Sequence, residues 1–186
     1  HQTGIVPFEN EKEASLVPHM KSLGMSHLNQ VVEYLRKGEY QKPQADIKIE
    51  GTGTKIKPPT QADFSEITGQ KMLKRACEIA VAGRHNLLMV GPPGSGKSMI
   101  AKRIPTIFPA LTREESLRIT KVYSVAGMLK SEQPLVMERP FREVNQTATK
   151  AALLGGGNWP KPGELTLASG GVLFLDELAE FNRSVL

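Results

Sequence analysis

A glycine-rich segment, GPPGSGKSMIAKRIP at positions 91–105, has the residue types and the spacing that hold phosphate. Its residues Gly91, Gly96, Lys97 and Ser98 match the pattern G-x-x-x-x-G-K-[ST]. Small residues let successive backbone N–H groups point into one concavity, and a helix that begins there adds the positive end of its dipole. The lysine would then neutralise the β- and γ-phosphates of a nucleotide, and the serine hydroxyl would bind Mg²⁺. The segment therefore predicts a nucleotide-binding loop.

Two other interpretations of this segment fit less well. A bare turn between a strand and a helix does not require the four matching residues. A dinucleotide-binding loop would require G-x-G-x-x-G, and Met99 stands where its last glycine should be. We therefore assign nucleotide binding to Gly91, Pro92, Pro93, Gly94, Ser95, Gly96, Lys97, Ser98 and Met99.

A pair of acidic residues ends the apolar stretch VLFLDE near the other end of the chain. Ligands of open α/β sheets bind at the carboxyl ends of the strands. There Asp176 would complete the Mg²⁺ site with Ser98, and Glu177 would orient and deprotonate the attacking water, with Lys97 as the second catalytic residue. A GTPase would show D-x-x-G at this point, a small-molecule kinase would not require the glutamate, and both acids could simply end the strand in solvent. The pair favours nucleotide hydrolysis.

Alternating strands and helices surround these motifs and predict an α/β domain. The apolar runs NLLMV and GVLFL are typical of strands buried on both faces of a parallel sheet. A helix should begin near Gly96, and another at the capping box of Thr112 and Glu115. A third helix has a wide apolar face that includes Cys77, for which we expect packing rather than reactivity; the face comprises Met72, Leu73, Ala76, Cys77, Ile79, Ala80 and Val81.

The N-terminal 40 residues predict a small separate piece. A short helix should begin near Glu11, and a second should begin at an N-cap, Ser26, and end at Gly38. Residues 41–62 are rich in proline and glycine and predict a linker, with a short strand at IKI. The second helix should bury one apolar face, formed by Leu28, Val31, Val32 and Leu35.

Composition and charge narrow the function classes. The 186 residues include 39% hydrophobic residues and one cysteine, as in a globular protein without internal disulfides. The apolar runs are too short to cross a bilayer and no signal peptide is visible, so we expect a cytoplasmic protein in a reducing compartment. The net charge of +5 permits an acidic partner such as nucleic acid but also fits a lysine-rich surface.

These motifs together resemble the magnesium-chelatase-like family of AAA+ ATPases, which is related to the competence protein ComM. The resemblance runs from about Asp63 to Leu186 and covers a Walker A loop and a Walker B strand. Residues 4–40 resemble the end of the family's N-terminal domain, which has a ribosomal-S5-like fold. The similar segments are DFSEITGQ, GPPGSGKSMIAKRIP, SVAGML, ERPFR, LLGGG and KPGELTLASGGVLFLDELAEF.

The resemblance implies a P-loop NTPase fold with a parallel sheet flanked by helices, ATP and Mg²⁺ as cofactors, and a homo-oligomeric ring, expected to be a hexamer. It also implies that Ile67 and Gly69 lie in the adenine pocket. The chain departs from the family's R-P-F-R-x-P-H-H-T, because it reads RPFREVNQT and lacks both histidines. The sensor residues, the arginine finger and the lid helices would lie beyond Leu186, so we expect residues 63–186 alone to bind nucleotide weakly and hydrolyse almost none.

Three hypotheses for the purpose of the hydrolysis remain open. A DNA-processing helicase or translocase would bind single-stranded or branched DNA, a protein- or cofactor-remodelling ATPase would ignore DNA, and an assembly module would bind ATP with little hydrolysis. Two glycine- and proline-broken segments, residues 123–150 and 153–164, are candidate pore loops. Trp159 could stack on a base or pack against its own domain, and Arg139 and Arg142 could serve a subunit interface. The basic residues of this region are Lys121, Lys130, Arg139, Arg142, Lys150 and Lys161.

Overall fold

The structure, a computed structural model, describes residues 2–17, 19–40, 63–129, 134–157, 160–183 and 185. The chain divides into two compact units, residues 1–55 with 130–135 and residues 56–129 with 136–186. The predicted linker with its IKI strand, together with Lys130 and Trp159, lies outside the described residues. No helix in the described ranges is long and apolar enough to span a membrane.

The first unit contains a parallel pair of strands with helices between and after them. Strand β1 (Gln2–Pro7) pairs with β2 (Met20–Met25) in a register that joins Gln2 to Met20 and Pro7 to Met25. The helices are a 3-10 turn at Phe8–Asn10, α1 (Glu11–Ala14) and α2 (Leu28–Lys37). Both predicted helices are confirmed, and Gly38 ends α2 in the left-handed conformation that glycine adopts without strain.

Two predictions about α2 are wrong. Its N-cap is His27 rather than Ser26, because the helix begins at Leu28 and His27 is extended, with φ and ψ angles of −138° and 146°. The Gln30 side-chain oxygen accepts hydrogen bonds from the N–H groups of both residues, at 2.9 Å from Ser26 and 3.3 Å from His27. The predicted apolar face is also not buried, since Leu28 is 77% exposed and Leu35 is 72% exposed.

The second unit is built from short helices and strands around two cores. Its strands are β3 (Phe141–Val144), β4 (Gly155–Gly156), β5 (Lys161–Pro162) and β6 (Val172–Leu175). Its α-helices are α3 (Lys71–Gly83), α4 (Lys97–Arg103), α5 (Arg113–Val125), α6 (Lys150–Leu154) and α7 (Glu164–Leu167). Shorter 3-10 turns occupy Phe64–Glu66, Ile104–Ile107 and Leu178–Glu180.

A parallel pair, β3 with β6, forms the sheet that carries the acidic residues. The register joins Phe141 to Val172 and Val144 to Leu175. Strands β4 and β5 form a separate antiparallel pair. The predicted α/β class and the GVLFL strand are confirmed. The described sheets are two-stranded, and the larger flanked sheet implied by the family resemblance stays a prediction.

The prediction of a strand at residues 86–90 is wrong for this structure. The segment has alternating exposure, with Leu87 and Met89 packed against the core while Leu88 and Val90 are 72% and 89% exposed. A strand buried on both faces of a sheet needs hydrogen-bonded neighbours, and no described strand pairs with this segment. The apolar run therefore lies outside the described strands, with only one face covered.

Much of the region from Tyr123 to Lys150, predicted to be a long loop, is held in place where the structure describes it. Val136 is bound at both backbone groups by α5: its N–H donates to the Thr120 hydroxyl at 2.9 Å, and its carbonyl accepts from the Ser116 hydroxyl. Strand β3 follows shortly after. The regular spacing of these two hydroxyls, four positions apart on one helix face, allows them to hold an extended chain as a neighbouring strand would.

The predicted capping box at the start of α5 is confirmed and yields a pH-dependent prediction. The Thr112 N–H donates to the Glu115 carboxylate at 3.0 Å, and this hydrogen bond and the Arg139 guanidinium hold the pKa of Glu115 below its ordinary value of 4.5. A lowered pKa in the folded state means that the ionised group stabilises the fold above pH 4.5, and that this contribution is lost as the pH falls through the folded-state pKa.

We expect Glu115→Gln to lower the free energy of unfolding at neutral pH, with the difference from wild type shrinking as the pH falls below 4.5. Urea denaturation across this pH range measures the difference. Glu114→Gln is the control, because Glu114 forms an exposed ion pair with Arg118 on the same helix. A difference that did not change with pH would contradict the assignment.

Candidate functional site

The glycine-rich segment forms a tight loop that leads into α4. Gly94 and Gly96 have φ angles of +76° and +84°, which side-chain-bearing residues rarely adopt. Gly96 is the N-cap, and its carbonyl accepts the first helical hydrogen bond from Ile100 at 2.9 Å. The backbone N–H groups of the first helical turn have no partner within the helix. The predicted helix start is confirmed, and the binding of nucleotide by this loop stays a prediction.

The Lys97 side chain folds over this loop. Its ammonium group donates to the carbonyl oxygens of Gly91 at 2.8 Å and Pro92 at 3.0 Å, and lies 3.4 Å from the Ser95 hydroxyl. These contacts hold a positive charge against the loop. The partners are neutral oxygens, so a phosphate oxygen would form stronger, charge-assisted hydrogen bonds with the same ammonium group.

Helix α4 is fixed to the body of the unit by its apolar face. Ile100 and Ala101 are 1% and 0% exposed, and Ile104 extends the buried face into the next turn. Ile100 and Ile104 form a core with Phe64, Ile67 and Cys77, against which Leu87, Met89 and Val172 also pack. The buried position of Cys77 agrees with the predicted packing role. The same core thus contacts the chain before the loop, the helix after it and the first residue of β6.

The two residues assigned to the adenine pocket lie in different surroundings. The Ile67 side chain is 3% exposed because it belongs to the core, so only its main chain is available to a ligand. Gly69 has a φ of +72° and open space around its α-carbon, and Gln70 after it is also left-handed at +50°. The assignment of both residues stays a prediction.

The acidic pair stands directly after β6. The Asp176 N–H donates to the Val144 carbonyl at 3.0 Å, which continues the parallel ladder by one residue. One Asp176 carboxylate oxygen accepts the Glu177 N–H at 3.1 Å. Glu177 is exposed and has a φ of +55°. Its side chain is free of packing and its backbone is in a conformation that costs energy for any residue other than glycine.

The donor set fits a magnesium ion only together with a nucleotide. No group of three or more His, Cys, Asp or Glu among the described residues could hold a metal ion. Mg²⁺ usually binds through one or two carboxylates together with phosphate oxygens and water. Asp176 and Ser98 are both partly exposed oxygen donors of this kind, and the bound ion would supply charge neutralisation at the phosphates.

The structure connects the two motifs through the scaffold rather than by direct contact. Val172 of β6 packs against the core of α4, and Lys102 of α4 forms a 2.9 Å ion pair with Glu143 of β3. In the part of the chain that the structure describes, no hydrogen bond joins Lys97 to Asp176 or Glu177. A nucleotide with its magnesium ion would have to make that connection.

Sequence reasoning missed a polar residue beside the acidic pair. Asn145 follows the last residue of β3, and the parallel register places it next to Asp176. Its side-chain oxygen accepts hydrogen bonds from the N–H and the hydroxyl of Thr147, at 3.2 Å and 2.7 Å. Its position after a strand that ends level with β6 was one signal, and it required the register to be known.

Two of the basic residues predicted for a partner surface are engaged within the chain. Arg142 forms a two-pronged pair with Glu164, with Nη2 2.7 Å from Oε1, and this carboxylate raises the pKa of the guanidinium. Arg139 is bound to two carbonyl groups and to Glu115. Both contribute to the packing of this unit. The interface role considered for them stays a prediction.

The left-handed backbone of Glu177 yields a stability prediction. We expect Glu177→Gly to raise the free energy of unfolding by about 1 kcal/mol, because glycine adopts this conformation without strain. Arg84→Gly is the matched control: Arg84 is left-handed at +53° at the end of α3, far along the chain from the acidic pair. Thermal or urea denaturation should show stabilisation in both variants. A destabilised Glu177→Gly variant would show that the left-handed backbone of Glu177 is not strained.

Comparison with known proteins matches the region that contains both motifs. The family model described as magnesium chelatase, subunit ChlI, matches residues 63–186. The chain is also 40% identical over 184 residues to the competence protein ComM of Haemophilus influenzae. It is 40% identical over 183 residues to the uncharacterized protein YifB of Escherichia coli, and 39% identical over 183 residues to an uncharacterized protein of Mycobacterium tuberculosis.

These matches cover 98% of the chain, including its N-terminal unit, but only 35% of each relative. The chain therefore spans about a third of the length of the curated relatives it matches.

Proposed function

Because the chain belongs to the family of magnesium chelatase subunit ChlI, we propose that it is the nucleotide-binding part of an AAA+ ATPase that works on DNA. In this proposal ATP binds with Mg²⁺ at the loop of residues 91–98, and Glu177 acts as the general base for its hydrolysis. Residues 1–40, 41–62 and 63–186 would be the end of an S5-like domain, a linker and the ATPase domain. The complete protein would be a cytoplasmic, hexameric ring.

The observation that supports the ATPase proposal most strongly is the pairing of loop and acids on one scaffold. Lys97 is held at the loop by neutral carbonyl groups that a phosphate would replace, and Asp176 and Glu177 follow a strand that packs on the same core. Asp176 and Ser98 would bind the metal, while Glu177 is exposed and able to accept a proton from water. Each group has the chemistry that phosphoryl transfer to water requires.

DNA is proposed as the substrate from the resemblance to the competence protein and from the remaining basic residues. Lys121 and Lys161 line a groove of about 450 Å³ between α5, β5 and α7, with an otherwise largely apolar lining that includes Val122 and Val125. Lysines next to apolar surface suit the phosphates and bases of a single strand. Within the described residues, neither lysine has an acidic partner.

Steady-state ATP hydrolysis by a full-length protein that contains this chain, with and without single-stranded DNA, tests this proposal. We expect DNA to stimulate hydrolysis, and the double variant Lys121→Glu/Lys161→Glu to reduce the stimulation while basal hydrolysis is unchanged. Lys71→Glu, an exposed lysine of α3, is the control. Basal turnover that DNA does not change would contradict the DNA-processing role.

A protein- or cofactor-remodelling ATPase is the second candidate, and one observation favours it. Arg139 and Arg142 are bound to Glu115 and Glu164 within the chain, which leaves a smaller positive surface than the sequence suggests. Such an enzyme would hydrolyse ATP without a response to DNA and with a response to a protein partner. An assembly module, the third candidate, would bind ATP and release little phosphate.

A further inference from the structure

Arg139 makes an unusual set of contacts for a residue outside the nucleotide-binding motifs. Its side chain is only 10% exposed. The guanidinium donates from Nε to the Pro109 carbonyl at 2.8 Å, from Nη1 to the Gly170 carbonyl at 2.7 Å and from Nη2 to Glu115 at 3.3 Å. Its central carbon lies 5.2 Å from the ring centroid of Phe108, within the range of a cation–π interaction.

These partners belong to the two segments that carry the proposed chemistry. Phe108 and Pro109 directly follow the 3-10 turn that continues α4, the helix of the phosphate loop. Gly170 lies two residues before β6, the strand that ends at Asp176. One planar side chain therefore joins the end of the loop helix to the start of the acid-bearing strand.

Pro140, the residue after Arg139, lies very close to the backbone at the start of β6. The Val172 N–H donates to the Pro140 carbonyl at 2.8 Å. A side-chain carbon added to Gly171 would lie 2.0 Å from the same carbonyl oxygen, which is too close for any other residue. A slip of one residue along a strand turns every side chain to the opposite face, so contacts at the start of β6 decide where Asp176 points.

We propose that Arg139 is a positioning residue that fixes β6, and with it Asp176 and Glu177, relative to the helix of the phosphate loop. The inference rests on the proposed ATPase function and adds a residue to it. In this proposal Arg139 acts through the Gly170 and Pro109 carbonyl groups.

An arginine is required at this position for a geometric reason. Its guanidinium carries five N–H donors in one plane and can bind two carbonyl groups and a carboxylate in different directions while its face covers a ring. A lysine has the charge and a similar length, but its single ammonium group cannot reach all three oxygens in this plane. Arg139→Lys is therefore a test of geometry with the charge retained.

The experiment compares wild type, Arg139→Lys and Arg139→Met in a full-length protein that contains this chain. ATP affinity is measured by equilibrium binding in EDTA and in Mg²⁺, and hydrolysis is measured at saturating ATP. We expect affinity in EDTA to stay within about twofold of wild type, because the loop is unchanged. In both Arg139 variants the gain in ATP affinity from Mg²⁺ should fall. The kcat should drop by about 100-fold, which is the loss expected when a catalytic group is displaced by about 1 Å.

Two controls separate positioning from general stability. Glu115→Gln removes the ion pair but leaves both carbonyl contacts of Arg139, so it should keep kcat and its dependence on Mg²⁺. Arg118→Met removes an exposed arginine of α5 and should change neither. Circular dichroism confirms that each variant is folded at the assay temperature.

Three outcomes would overturn the inference: wild-type kcat and Mg²⁺ dependence in Arg139→Lys, an equal loss of affinity in EDTA and in Mg²⁺, or failure of both Arg139 variants to fold. Wild-type protein that binds no ATP would instead refute the proposed function. The two failures are therefore distinguishable.

Discussion

Replacing Lys97 by alanine is expected to weaken ATP binding by about 100-fold, because hydrogen bonds from a charged donor contribute about 1.5–3 kcal/mol each. The ammonium group already lies 2.8 Å and 3.0 Å from the Gly91 and Pro92 carbonyl oxygens. It would exchange these neutral acceptors for phosphate oxygens when ATP binds, so the net loss is smaller than the sum of the new bonds. Titration with a fluorescent ATP analogue measures the affinity.

Lys71→Ala is the matched control for this variant, since Lys71 is an exposed lysine at the start of α3 and should leave the affinity unchanged. The stability of Lys97→Ala must also be measured, because the side chain is bonded to its own loop. If a folded Lys97→Ala variant kept the wild-type affinity for ATP, the assignment of this loop as the nucleotide site would be wrong. The proposed function would then be wrong as well.

The second large effect is expected from Glu177→Gln, which should reduce hydrolysis by about 10²–10⁴-fold, the usual contribution of a general base. Glutamine has the same shape and cannot accept the proton. ATP affinity should stay close to wild type, because Asp176 and Lys97 are unchanged. Phosphate release and nucleotide binding are measured on the same preparation of a full-length protein.

Glu180→Gln provides the control for this change. Glu180 is another exposed acidic residue in the short turn after the acidic pair, so its variant should hydrolyse ATP at the wild-type rate. Equal loss in both variants would indicate a general effect of charge at this edge. Full hydrolysis by Glu177→Gln would assign the base to another residue.

The local elements around the site could be predicted because their signals lie within a few residues. Thr112 and Glu115 predicted the start of α5, the G-x-x-x-x-G-K-[ST] pattern predicted a helix beginning near Gly96, and an apolar run predicted β6. In each case the side chains that form the element also stabilise its end or its buried face. Sequence spacing is sufficient where the interacting groups are close in the chain.

The predictions that failed share a different cause. Each depended on residues far away in the chain, and the sequence does not show which of them are in contact. Residues 86–90 have the composition of a buried strand, but a strand forms only beside another strand, and composition cannot supply one. The apolar face of α2 is exposed for a similar reason, because a helix face is buried only where another element packs on it. The contacts of Arg139 with Gly170 and Pro109 are separated by 31 and 30 positions and involve backbone groups, which have no sequence signal at all.

The sequence therefore predicts the chemistry of the site residues better than it predicts the scaffold that positions them. Residue type alone limits what Lys97, Asp176 and Glu177 can do, whereas the position of β6 depends on Arg139 and on the close approach at Gly171. The positive charge of the chain was a weaker guide, because it could not separate arginines that stabilise the fold from lysines that are free to bind a partner.

Phosphate release from ATP by a full-length protein that contains this chain, at saturating Mg²⁺ and ATP, tests the central claim most directly. We predict continuous turnover that falls in Lys97→Ala because ATP binds about 100-fold more weakly, and that is lost in Glu177→Gln although ATP still binds. Tight binding of ATP by wild type without phosphate release would contradict the account, and would identify a nucleotide-gated assembly module in place of a motor.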